Sequence, residues 1–273
     1  MKKILFVCDG ANFSKGAFEF LKLINEKEAI SVKGIFFTPI DFQEMIPISY
    51  IPIAEPYVKL KEKENMFVQK SREAFVKHCQ SMGVQFNMVD EKEEWTSKSF
   101  VKETRFADLA IMSEELFCSD IDSKQPNAFM KEALRVAECP VILVPEYFKS
   151  LDRIAVAYDG NPQSMFALKQ FCNIFSKLND IPVELVYVKS ENTDDIPDLS
   201  LLKEYARLHF NSLAVSKLHF DPKKYFSTWA EEKKNLLLVA GSFSRNAMSD
   251  LLKGSFLQEI VREHKLPVFI AHV

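Results

Sequence analysis

In this chain of 273 residues, the run best suited to holding a ligand is Gly241-Ser242-Phe243-Ser244-Arg245-Asn246, followed by Lys253-Gly254-Ser255-Phe256. Gly241 closes an apolar, strand-like run and Gly254-Ser255 opens a helical one, so backbone N–H groups and a hydroxyl can converge there on a phosphate. Arg245 can add charge to that phosphate, although a solvated loop arginine explains it as well. A second candidate is an Asp-Gly pair after an apolar strand, which occurs twice, as Asp9-Gly10 and Asp159-Gly160. A carboxylate there can bond a sugar hydroxyl or a base amine, and the glycine permits a tight turn. An aspartate capping the following helix accounts for either pair equally well.

Other chemistry has little support. His78, His209, His219, His264 and His272 form neither an i, i+4 pair nor an HExxH motif, so no metal site is expected. Ser164 and Ser242 lack the GxSxG elbow, and no His and Asp complete a triad. No GxGxxG follows either Asp-Gly strand, which argues against a dinucleotide-dependent dehydrogenase. No catalytic residue is expected.

The elements that must position these residues come as a repeat. Lys3-Ile4-Leu5-Phe6-Val7-Cys8-Asp9-Gly10 returns as Arg153-Ile154-Ala155-Val156-Ala157-Tyr158-Asp159-Gly160. Each copy feeds an amphipathic helix, with Ser14, Ala17 and Leu21 answered by Ser164, Ala167 and Phe171. The halves also end alike, in Cys139-Pro140-Val141-Ile142-Leu143-Val144 and Leu266-Pro267-Val268-Phe269-Ile270-Ala271. Domains over 1–147 and 151–273 follow. Apolar β-branched runs alternate with helical periodicity, the pattern of βαβ units in a parallel sheet covered on both faces.

The first half is expected to have strands over Ile4–Cys8, Val32–Phe37, Gln85–Val89, Leu109–Met112 and Val141–Val144. Its helices lie near Ser14–Asn25, Val58–Met82, Ser97–Phe106 and Asn127–Glu138. In the second, strands are expected over Ile154–Ala157, Val183–Val188, Ser212–Lys217, Leu236–Ala240 and Val268–Ala271. Its helices lie near Gln163–Leu178, Leu199–Phe210, Pro222–Lys233 and Ser255–His264. Thr38 to Pro56 reads as a long irregular excursion, and Glu191 to Asp198 as its shorter, acidic counterpart.

Composition narrows the partners. A net charge of -3 and no dense Lys/Arg stripe argue against nucleic acid. Cys8, Cys79, Cys118, Cys139 and Cys172 are odd in number and lack CxxC spacing, which points to a reducing compartment. No apolar run is long enough for a signal core or a membrane span. A cytoplasmic protein without membrane contact is expected.

The glycine run resembles the universal stress protein family, whose nucleotide-binding members carry a Gly, two residues, a Gly, nine residues, then Gly with Ser or Thr. Gly241 and Gly254-Ser255 match, while Ser244 stands where the second Gly belongs and adds a Cβ. The strand-one Asp and the terminal Pro-Val strand extend the resemblance over both halves. It implies two tandem doubly wound α/β domains, Rossmann-like and similar to the adenine nucleotide alpha-hydrolase fold. Each would have a five-stranded parallel sheet of order 3-2-1-4-5.

It implies ATP or a related adenine nucleotide in the second half, with Mg. The base would lie near Asp159, Gly160 and the backbone at Tyr187-Val188, and the phosphates on Gly241, Ser242, Ser244, Arg245, Gly254 and Ser255. In the first half, Ile111-Met112-Ser113-Glu114-Glu115 has no glycine, so that site is read as lost. The resemblance also implies pairing of the halves through their last strands as an internal pseudo-dimer, with a further homodimer optional. A stress-response module signalling through an unnamed protein partner is expected. ATP hydrolysis would be slow at most, because no Walker lysine or water-orienting residue is present. The competing expectation is a nucleotide-free tandem scaffold with both sites degenerate.

Overall fold

The structure is a computed structural model that describes residues 1–9, 13–37, 55–89, 97–113, 128–188, 195–218, 229, 233, 235–241 and 266–271. The first half supplies β1 (Lys2–Asp9), α1 (Lys15–Lys27), β2 (Ile30–Phe37), α2 (Glu55–Met82), β3 (Gln85–Met88), α3 (Ser97–Arg105), β4 (Leu109–Ser113), α4 (Ala128–Val136) and β5 (Val141–Val144). The second supplies β6 (Arg153–Tyr158), α5 (Pro162–Ile174), β7 (Val183–Val188), α6 (Leu199–Arg207), β8 (Leu213–Leu218), β9 (Leu236–Gly241) and β10 (Val268–Ala271).

These strands form one sheet in the order β3-β2-β1-β4-β5-β10-β9-β6-β7-β8. Each half therefore has the order 3-2-1-4-5, parallel throughout. The halves meet where β5 and β10 pair antiparallel, Leu143 opposite Val268 and Val141 opposite Ile270. The carboxyl ends of the two sets of strands consequently lie at opposite edges of the sheet.

Continuous apolar runs explain the layering, because alternate residues of one strand serve two cores. Ile4, Phe6 and Cys8 pack with Phe18, Phe20 and Leu21 of α1 and Phe75 of α2, while Leu5 and Val7 face Phe100 of α3 and Leu134 of α4. Ile154, Val156 and Tyr158 meet Leu168 and Phe171 of α5 and Leu202 of α6 on the same face as α1, in one uninterrupted cluster. The edge strands are the least buried: Gln85–Met88 is exposed at alternate residues, and β8 is buried at none.

Phe148, just past β5, fills the junction on that face. Its ring centroid stands 5.2 Å from that of Phe20, which meets Phe175 edge-on at 6.2 Å. Phe175 in turn contacts Phe171 at 4.9 Å and Phe269 at 5.9 Å.

Local signals set the helix ends. The Ser14 hydroxyl accepts the Ala17 N–H at 3.2 Å and starts α1, and Pro162 opens α5, where its missing N–H costs nothing. The helix expected over Gln163–Leu178 stops at Ile174 and finishes as a 3-10 turn, Ser176–Leu178. The tighter turn brings both Phe175 and Leu178 into the core. The helix expected to reach Phe210 ends at Arg207, and Phe210 turns into the core instead. Glu55 and Pro56, assigned to the excursion, already lie within α2. Most of that excursion and the helix expected over Ser255–His264 lie outside the described residues. So does most of Pro222–Lys233, of which Trp229 is helical.

Candidate functional site

In an open doubly wound sheet the ligand crevice lies beyond the carboxyl ends of the strands, where the strand order reverses. In the second half that point is between β6 and β9, which pair from Arg153 opposite Leu236 to Val156 opposite Val239. Asp159-Gly160 and Gly241 therefore arrive at one place from two strands.

Asp159 is exposed, and its carboxylate is engaged by the turn that follows. Oδ1 accepts the Asn161 backbone N–H at 2.9 Å and Oδ2 accepts the Asn161 side-chain amide at 2.8 Å. Such an Asx turn pins Asn161, the N-cap of α5, whose carbonyl accepts the Ser164 N–H at 3.2 Å and hydroxyl at 2.8 Å. The aspartate thus braces the cap of α5 rather than capping it directly.

Gly160 has φ +84°, a left-handed conformation suited to glycine. It also lies under a proline: a Cβ added there would stand 3.0 and 3.1 Å from the Pro197 ring. The Pro197 carbonyl accepts the Tyr158 hydroxyl at 3.0 Å. Tyr158 is buried, and its ring centroid is 6.5 Å from that of Tyr187 across the β6–β7 register. Burial first, then the carboxylates of Asp198 and Asp159, raise its phenol above the ordinary value. Asp198 has φ +50°, which a residue with a side chain seldom adopts.

Gly241 is needed for close packing. A Cβ there would stand 2.4 Å from the Gln163 carbonyl oxygen and 2.7 Å from the Ser164 nitrogen, within the first turn of α5. The β9 backbone runs directly against that turn. The sequence shows a glycine fit for phosphate approach, and the structure adds a helix-to-strand contact that requires it. Val188 ends β7 on the opposite side of β6. Ser242, Ser244, Arg245, Gly254 and Ser255 lie outside the described residues.

In the first half, the registers place Ser113 at the end of β4 as Gly241 ends β9. Ser113 is buried, and Glu114 and Glu115 lie outside the described residues. The tight approach has moved to Gly16 in the first turn of α1, where a Cβ would stand 2.0 Å from the Pro145 carbonyl oxygen. Next to it, both Glu146 carboxylate oxygens accept the Lys15 backbone N–H, at 3.0 and 3.2 Å.

Pro197, just ahead of α6, rests directly on Gly160. Tyr158, Pro197 and Glu146 are the contributors that sequence reasoning missed. Tyr158 carried one signal, as a hydroxyl-bearing aromatic in an otherwise apolar strand.

Among the described residues, no group of three or more His, Cys, Asp and Glu could hold a metal ion. No helix among them is long and apolar enough to cross a membrane.

Comparison with known proteins gives a concordant picture. The model of the universal stress protein family matches residues 150–272. The universal stress protein Slr1230 of Synechocystis sp. is 22% identical over 284 residues, covering 98% of this chain and 99% of that protein. Among solved structures, a universal stress protein from Archaeoglobus fulgidus superposes with a TM-score of 0.73 at 15% identity, over 98% of both chains. A putative universal stress protein from Pseudomonas aeruginosa gives 0.57 at 13% identity, over 100% of this chain and 93% of that one. These two likenesses concern the fold.

Proposed function

We propose that this chain, whose second half matches the universal stress protein family over residues 150–272, is a stress-response module of that family that binds ATP or another adenine nucleotide in that half. It signals through protein contacts that change with occupancy. One observation carries the reading: Asp159-Gly160 and Gly241 converge at the point of strand reversal, with the first turn of α5 between them. The phosphates are assigned to Ser242, Ser244, Arg245, Gly254 and Ser255, with Mg, by the sequence pattern alone. On this reading the protein is cytoplasmic and has no catalytic residue beyond slow ATP hydrolysis, and the first half has given up its site.

The test is to purify the chain without added nucleotide, denature it and identify released small molecules by mass spectrometry. ATP titration of wild type and Gly254→Glu follows. About one adenine nucleotide per chain, lost in the variant, supports the proposal. No co-purified nucleotide, with no heat or melting shift from millimolar magnesium ATP, overturns it.

A second reading, a nucleotide-free tandem scaffold, draws on a specific observation of its own. The Asp159 carboxylate is already engaged by Asn161, and Pro197 already covers Gly160.

A further inference from the structure

We draw no further inference here: the strongest candidate, the open groove of about 420 Å³ between α1 and α2, has a floor of Phe18 and Met82 and polar walls whose side chains, Glu19, Lys22, Glu26 and His78, are themselves exposed, and nothing among the described residues shows what covers it.

Discussion

The carboxylate of Glu146, just beyond the last strand of the first half, closes on the backbone N–H of Lys15, the first residue of its first helix, at 3.0 and 3.2 Å. The first N–H groups of a helix have no partner within it, and a negative group there also opposes the positive end of the helix dipole favourably. Glu146→Ala is expected to lower unfolding stability by about 1 kcal/mol, with Glu146→Gln between it and wild type. Urea denaturation checks this, and an unchanged midpoint for the alanine variant would remove Glu146 as a cap.

Gly16 and Gly83 separate two reasons for a glycine. At Gly16 a Cβ would meet the Pro145 carbonyl oxygen at 2.0 Å, backbone that cannot step aside cheaply. Gly83 has φ +64° and open space around it. Gly16→Ala should cost about 3 kcal/mol or more through overpacking, and Gly83→Ala about 1 kcal/mol through its left-handed backbone alone. Thermal unfolding of the two variants should rank them in that order.

Phe148 bridges Phe20 of the first half and, through it, Phe175 of the second. Phe148→Ala should destabilise the chain by about 3 kcal/mol. Because one apolar cluster runs through both halves, the variant should still melt in a single transition. Two resolved transitions in calorimetry would show that the halves unfold independently.

Burial pushes the thiols of Cys79, Cys139 and Cys172 from an ordinary 9.0 up to about 12. At pH 8 these three are expected to resist a thiol reagent in the native chain and to react at once in guanidinium. The sign for stability follows from which state ionises first. The unfolded thiols lose protons near pH 9 and the folded ones near 12, so their contribution is complete below 9 and declines between the two. Rapid native labelling of Cys139 would contradict its burial.

Much of the fold could be read in advance because its signals are local or repeated. The recurrence of Ile4–Gly10 at Ile154–Gly160 and the uninterrupted apolar runs imply two parallel sheets, and β5, β7 and β10 begin and end where periodicity puts them. Helix ends were harder to read. At Phe175 and Phe210 the core claims a side chain, and that pull depends on partners distant in sequence, such as Phe269.

The site was legible as residue types and not as contacts. Asp159, Gly160 and Gly241 do converge, but their present partners are Asn161, Pro197 and Gln163. No spacing rule announces that Pro197 will land on Gly160. That contact depends on where the chain just ahead of α6 packs, a tertiary choice that propensity does not encode.

The antiparallel seam between β5 and β10 has an evolutionary consequence. Two identical subunits joined by such a seam would be bound by symmetry, so that every inherited change struck both crevices at once. Written into one chain, the same seam frees each crevice to drift on its own. Ser113 at one strand end and Gly241 at the matching end of the other half already differ in this way.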